Sequence, residues 1–333
     1  MEIFIDTYGS YLHVKDNMFE IISSKDGNQE RNLISPKKIS SILISKGVSV
    51  SSDCIALALI NNIDIIVLEN DGTPIGRFWH SKLGSTTKIR KAQLIASMNK
   101  KSVEYVLKWI SKKVNNQIDF LKYLRKNRSE KALFIDSQIS SMIDNYEKMI
   151  NLNANCIKEI ADKIRGYEGT ISRYYFDTLS DLLSKEYRFN GRSFRPANDP
   201  FNAFLNYAYG VLYSKVEKSL IIAGIDPYLG FMHRDDYNTL SMVYDFIEQF
   251  RIYADEVVFK LFSGKKVNKS HTNIIHNAYT LNKDGKKLLM EHYNKFLIED
   301  KIRYNNRNVS RNTIIQLEAH NFAQELLNNS GVK

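Results

Sequence analysis

Between Ser85 and Arg165 the chain contains neither glycine nor proline. A run of that length without backbone punctuation excludes the closely spaced turns of a sheet and admits long helices. Within it, apolar residues recur at helical spacing, as in Leu133, Ile135, Ile139, Met142, Ile143, Tyr146, Met149 and Ile150. The residues before it read differently. The segments "MEIFID", "YLHVK", "MFEIIS", "SILIS", "VSVS", "IDIIVLE" and "IGRFWH" are short, β-branched or aromatic. The turn residues of "KDN", "DGN" and "NDGTP" separate them. One helix interrupts the strands: in "SSDCIALALINN", Ser51 or Ser52 caps a short apolar helix that delivers the chain to a strand at 63–68. A later helix begins at "NDPFNAFLNYAYGVLY", with Asn198 or Asp199 as cap, Pro200 in the first turn and Gly224 at its end.

The expected fold is therefore α+β. A small β-rich N-terminal domain, residues 1–85, precedes a larger all-helical domain, residues 86–333, with the linker near "SKLGSTTK". There is no internal repeat and no low-complexity tract, and the tail "NNSGVK" is expected to fray. No apolar run approaches the length of a membrane span. The opening "MEIFIDTYGS" has acids where a signal peptide carries basic residues, so the expected location is the cytoplasm, without membrane contact. Cys54 and Cys156 have no CxxC partner and read as buried free thiols.

Charge divides the chain at the same place. Residues 1–85 carry 8 Lys/Arg against 10 Asp/Glu, while the remainder carries 39 against 27, so the whole excess of +10 lies in the second part. Such asymmetry points to a polyanionic partner; lysine-rich helices that solvate themselves are the plainer alternative. The stretches "KIRK", "KYLRKNRSEK" and "GKKVNK", the last with Lys265, Lys266 and Lys269, are candidates for contact with a nucleic-acid backbone.

Among the seven histidines His233 has the most unusual neighbours. In "LGFMHRDD" a glycine and two apolar residues lead into it, and an arginine and two aspartates follow. It reads either as a surface histidine in a polar turn or as one corner of a site. The following segment, "TLSMVYDFIEQFR", carries Asp245 and Glu248 three apart, on nearly one helix face. Such a pair is either a solvated face or part of the same site. In "RGYEGTISRYYF", Glu168 stands between Gly166 and Gly169 ahead of an aromatic helix. It either complements a helix dipole or points into a cleft that the glycines open. No HExxH, Walker phosphate loop, GxGxxG or GxSxG occurs, and two cysteines cannot build a zinc site.

Six ordered blocks over nearly the whole chain carry a resemblance: "YLHVKDNMFEI", "ISSILISKGVSVSSDCIALALINNIDIIVLENDGTPIGRF", "GYEGTISRYYF", "FNGRSFRPANDPFNAFLNYAYGVLY", "AGIDPYLGFMHRDD" and "LSMVYDFIEQFR". With them the sequence resembles the CRISPR-associated integrases of the adaptation module, the Cas-one family. The resemblance implies a β-rich N-terminal domain and a helical catalytic domain. It also implies that Glu168, His233 and Glu248 ligate a divalent metal and catalyse, with Asp245 as an auxiliary acid. One imidazole with two carboxylates suits Mg²⁺ or Mn²⁺. The reaction implied is transesterification, in which the 3′-hydroxyl of a spacer fragment attacks the repeat border of a CRISPR array. With water as the nucleophile the same site is an endonuclease.

The partners implied are double-stranded DNA (spacer fragment and repeat), a second copy of the chain, and a dimer of the small companion adaptation protein. The homodimer is expected through the N-terminal domain, whose sheet edges and apolar strands such as "IDIIVL" a symmetric partner can cover. Arg251, three residues after Glu248, neutralises phosphate or holds a carboxylate in a structural ion pair. Tyr244, Tyr167 and Tyr174 read as packing, and Arg192 as a DNA-contact candidate. Folding is expected to survive substitution of any of the three ligands. Two rival functions stand beside this one: a metal nuclease acting on branched or duplex DNA in repair, and a DNA-binding assembly protein with a dead site.

Overall fold

The structure, a computed structural model, describes residues 2–25, 28–39, 41–61, 63–69, 74–78, 86–233 and 239–329. His80, most of the expected linker, Arg234, Asp235 and Asp236 lie outside the described residues, as does the end of the tail. The chain forms two compact units, Met1–Leu83 and Gly84–Lys333.

The first unit is built of strands β1 (Glu2–Ile5), β2 (Tyr11–Lys15), β3 (Met18–Lys25), β4 (Asn28–Ile34), β5 (Ser41–Ser45), β6 (Ser49–Val50), β7 (Asp64–Leu68) and β8 (Pro74–Phe78), with helix α1 (Ser52–Ile60) between β6 and β7. Ser51 caps α1, its side chain accepting from the amide of Cys54. Two four-stranded sheets result, in the orders β4-β3-β2-β6 and β1-β5-β7-β8. In the first, β2 to β4 run antiparallel; in the second, β1, β5 and β7 are parallel and β8 is antiparallel. Asp16 and Asn17 turn β2 into β3, both at positive φ as a two-residue hairpin requires. Leu12, Phe19, Ile42, Ile44, Cys54 and Ile65 fill the core. Burial pushes the Cys54 thiol up to about 12, so it is an inert packing group, whereas Cys156 is only half-buried.

One strand lies outside the sequence reading, and one expectation changes. Strand β4, "NQERNLI", has no apolar alternation and escapes a pattern search; it exists because its backbone pairs with β3 at the sheet edge. The segment "IDIIVL" is not available to a second copy. β7 is paired on both sides, by β5 and β8, and Ile63, Ile65, Ile66 and Leu68 are buried.

The second unit is mainly helical: α2 (Thr86–Ser97), α3 (Lys100–Lys126), α4 (Ala132–Ile150), α5 (Ala161–Asp181), α6 (Pro200–Ile222), α7 (Ser241–Phe246), α8 (Ile252–Ser263), α9 (Lys283–Asn294) and α10 (Arg311–Asn329). It is not all helix. Two hairpins, β9 (Thr272–Ile275) with β10 (Ala278–Leu281) and β11 (Lys301–Tyr304) with β12 (Arg307–Ser310), interrupt it. Each turns on two residues at positive φ, His276–Asn277 and Asn305–Asn306. Asp199 caps α6 by accepting from the Asn202 amide, and Gly224 follows the helix at φ +82°. Among the described residues no helix is long and apolar enough to cross a membrane.

The long helix α3 runs through the middle of this unit's packing. Val103, Val106, Trp109, Ile110, Val114, Ile118, Leu121 and Leu124 form its buried stripe. Trp109 stacks on Phe231 with ring centres 5.9 Å apart and meets Phe246 and Phe322 edge-on. This aromatic cluster ties α3, α7 and α10 to the segment that carries His233.

Candidate functional site

Glu168 sits in the interior of α5, not at a helix start, so Gly166 and Gly169 are helical residues rather than a hinge. A Cβ at either glycine would meet nothing within 4 Å, which leaves the helix surface beside Glu168 open. Asp245 is on α7, and Glu248 is on the tight 3₁₀ turn Ile247–Phe250 that joins α7 to α8. That turn is tied to α3. Asn116 donates to the Gln249 carbonyl at 3.1 Å, and Lys112 reaches the Gln249 side chain at 3.2 Å. Asp245 and Glu248 are both buried, so the solvated-face reading does not hold, and the two acids have different partners.

Glu168 and Glu248 converge on one nitrogen. The ammonium of Lys113, from α3, is paired with Oε1 of Glu168 and lies 2.8 Å from Oε2 of Glu248. Side-chain exposure grades outward, from 7% for Lys113 and 8% for Glu248 to 26% for Glu168, so the cluster opens to solvent on the Glu168 side. Ser172, one turn on, donates to Glu168 Oε1 at 3.1 Å. Arg251 grips Glu248 Oε1 through Nε at 2.8 Å and Nη2 at 2.7 Å. Its guanidinium lies 4.9 Å from the centre of the Tyr209 ring and donates to the Tyr213 hydroxyl at 3.2 Å.

Burial alone would raise the Glu248 pKa, but Arg251 and then Lys113 outweigh it and hold the carboxyl at about 2. Burial likewise works against the Lys113 charge, and the two carboxylates reverse the effect, so its pKa is raised. Both groups are ionised at neutral pH.

His233 is built by other means. Gln93 of α2 donates to the carbonyls of Asp226 and Leu229 and accepts from the Asp226 amide, which pins the approach segment. Gly230 then passes so close to α7 that a Cβ would stand 2.6 Å from the Ser241 Cβ. That approach wraps the chain around Asp245. Oδ2 accepts from the amides of Phe231 at 2.6 Å and Met232 at 2.9 Å, and Oδ1 accepts from the His233 amide at 3.2 Å. Oδ1 also lies 2.6 Å from His233 Nδ1. A carboxylate oxygen accepts and Nδ1 donates to it, so in the neutral ring the lone pair is on Nε2, the arrangement of a metal-ligating histidine. The Tyr244 ring stands 5.7 Å from the imidazole and edge-on to Tyr213, and burial raises its hydroxyl pKa.

The structure thus brings two of the three expected ligands to one cation and holds the third on a separate, pre-oriented support. Among the described residues, no three His, Cys, Asp or Glu side chains stand together as a metal cage. The donor chemistry fits a hard or borderline dication. Two carboxylates already share one positive charge, and the buried Glu248 Oε2 lies 2.8 Å from the Lys113 ammonium. Lys113 is the residue that sequence reading passes over. Its signal was legible, because it falls on the buried stripe of α3, between Ile110 and Val114, where a lysine must find counter-charges.

Of the DNA-contact candidates, Lys265, Lys266 and Lys269 are exposed beyond the end of α8. Lys266 Nζ lies 2.9 Å from His292 Nε2, and Lys269 is 3.5 Å from Glu186. Arg192 is turned inward: it donates to Asn202 and, at 2.8 Å, to Asn206, and it packs on the rings of Phe176 and Tyr209.

The family model of the CRISPR associated protein Cas1 matches residues 3–295. The CRISPR-associated endonuclease Cas1 1 of Archaeoglobus fulgidus is 30% identical over 330 residues, covering 96% of this chain and 94% of that protein. A Cas1 protein from Thermotoga maritima has the same fold, with a TM-score of 0.81 at 20% identity over 100% of this chain and 98% of that one. So has a casposase bound to integration product, with a TM-score of 0.83 at 21% identity over 99% and 91% of the two chains. By the extent of the family match and the identity to its relative, this chain belongs to the CRISPR-associated Cas1 family.

Proposed function

We propose that the protein is a metal-dependent DNA integrase and endonuclease that inserts foreign DNA fragments as spacers into a CRISPR array. The observation that carries this reading is the convergence of Glu168 and Glu248 on one cation in a Cas1 chain. The relative's name, endonuclease, and the casposase's integration product support chemistry at a phosphodiester. In the reaction a DNA 3′-hydroxyl attacks the phosphorus at the repeat border. A new P–O bond forms as the old one breaks, and the displaced 3′-hydroxyl leaves. Water in place of the hydroxyl gives a nick.

Glu168, Glu248 and the Nε2 lone pair of His233 would hold Mg²⁺ or Mn²⁺, which supplies Lewis-acid polarisation of the scissile phosphate. The chain's own groups prepare that site. Arg251 fixes the Glu248 carboxylate through two nitrogens on Oε1, and Ser172 orients Glu168. Asp245 sets the tautomer and direction of His233. The missing side chains at Gly166 and Gly169 let a sugar–phosphate backbone approach α5 beside Glu168.

DNA binding rests on phosphate contacts by exposed lysines, Lys265, Lys266 and Lys269 among them, and weakens steeply with salt. Arg192, turned toward Asn202 and Asn206, supports the fold. A homodimer through the N-terminal unit and a dimer of the small companion protein complete the assembly. The test is a strand-transfer assay with a fragment bearing free 3′-hydroxyls, a repeat-bearing target and the companion protein. Joined product is expected in Mg²⁺ or Mn²⁺. Nicking without joining would overturn the integrase reading and leave a nuclease.

A further inference from the structure

Lys113 is a charged residue on a buried stripe, with Trp109, Ile110, Val114 and Gln117 as its stripe neighbours on α3. Its charge is met by carboxylates from two other elements, α5 and the 3₁₀ turn. The two carboxylates share the one ammonium, Nζ being paired with Glu168 Oε1 and lying 2.8 Å from Glu248 Oε2. Counted formally, Lys113, Arg251, Glu168 and Glu248 are neutral as a group.

We infer that Lys113 is a tethered stand-in for the divalent cation: its ammonium holds Glu168 and Glu248 together in the metal-free protein, and a dication enters by displacing it. The inference rests on the reading that these two glutamates are cation ligands. Two consequences follow from the charges. The ammonium cannot diffuse away, so it competes with free metal at a high effective concentration and keeps metal affinity low. Its exchange for a dication turns the neutral cluster positive, so a phosphodiester and the metal each bind better in the presence of the other. The flexible four-carbon stem of lysine suits a group that must leave its pocket without leaving the site.

The test uses the full-length protein and Mn²⁺ alone, with binding read from the electron paramagnetic resonance of free Mn²⁺ and stability from thermal melts. Lys113→Met should melt at a lower temperature than wild type without metal. It should bind Mn²⁺ about tenfold or more tightly, since a like charge has been removed from the site, and its melting temperature should rise further with Mn²⁺. If Lys113→Met folds poorly, refolding it with Mn²⁺ should restore it, and a failure of Mn²⁺ to do so counts against the proposal. Mn²⁺ binding by Lys113→Met that is equal to or weaker than wild type overturns the exchange. Glu168→Gln and Glu248→Gln separate the two readings. If either still binds Mn²⁺ as wild type does, the ligand assignment itself fails. If both lose it while Lys113→Met gains nothing, only the exchange fails.

Discussion

Glu168 and Glu248 are held in place by side chains and opposite charge, whereas His233 is held by backbone amides wrapped around a single aspartate. The carboxylate half is an ion-pair cluster spanning α3, α5 and the 3₁₀ turn. The histidine half is a loop whose three successive amides all point at Asp245, itself only 1% exposed. A charge cluster is sensitive to any change of charge, because each buried ion depends on the others. A hydrogen-bonded loop is sensitive to geometry, since the ring direction follows from the backbone path. The two halves should therefore fail in different ways.

The largest expected effect treats them alike. His233→Ala, Glu168→Gln and Glu248→Gln should each reduce metal-dependent strand transfer and nicking by about a hundredfold or more, beyond what loss of a supporting residue costs. Gel assays in Mg²⁺ and in Mn²⁺ read this, and near-normal joining by His233→Ala would remove that histidine from the site. DNA affinity measured without metal at fixed salt should hold, because none of the three substitutions removes a lysine or arginine.

Stability separates the carboxylates. Glu248 is buried between Arg251 and Lys113, so Glu248→Gln should cost about 3–5 kcal/mol by leaving Arg251 without its counter-charge and Lys113 with one carboxylate in place of two. Glu168 faces solvent on one side, and its replacement should cost roughly 1 kcal/mol. Sequence reading expects folding to survive both replacements alike, and the burial of Glu248 predicts that they differ. Denaturant unfolding of both variants checks this, and equal losses would break the contrast.

Acid should expose the same asymmetry. The Glu248 carboxyl is held at about 2, below its ordinary 4.5. A depressed acid stabilises the fold fully above its unfolded pKa and loses that contribution as pH falls through the folded one. Stability should therefore fall by up to about 3 kcal/mol between pH 4.5 and pH 2. That part of the slope should be absent from Glu248→Gln.

On the histidine side, Asp245→Asn places a donor NH₂ against two donors whichever way it lies, the Phe231 and Met232 amides or the His233 amide and Nδ1, and should cost about 2–3 kcal/mol while misdirecting the imidazole. Gly230→Ala should cost about 1–3 kcal/mol by forcing α7 and the loop apart. The smallest effect is a gain. Gly166→Ala has open space for its Cβ and should stabilise α5 by up to about 1 kcal/mol. Lower strand-transfer activity in that more stable variant would mean that the bare helix surface serves DNA approach. Unchanged activity would make the glycine incidental.

The sequence by itself determined the division of labour along the chain. The glycine- and proline-free run specified long helices, Ser51 and Asp199 specified caps, and the alternating segments specified strands, because each of these depends on periodicity or on contacts a few residues apart. The motif residues Glu168, His233 and Glu248 were legible as candidates for the same reason: their blocks stand in order and each block is short. Strand β4 was not legible, since only its neighbour makes it a strand.

Tertiary structure alone decided what each candidate touches. Lys113 and Glu168 are 55 residues apart, and no local rule pairs them. Asp245 and Glu248 share a helix face in sequence and part company in space, because a 3₁₀ turn redirects the chain between two different sets of partners. The physical reason is common to both cases. Burial makes an unmatched charge so costly that it must find a partner, but which partner it finds is set by how distant helices pack.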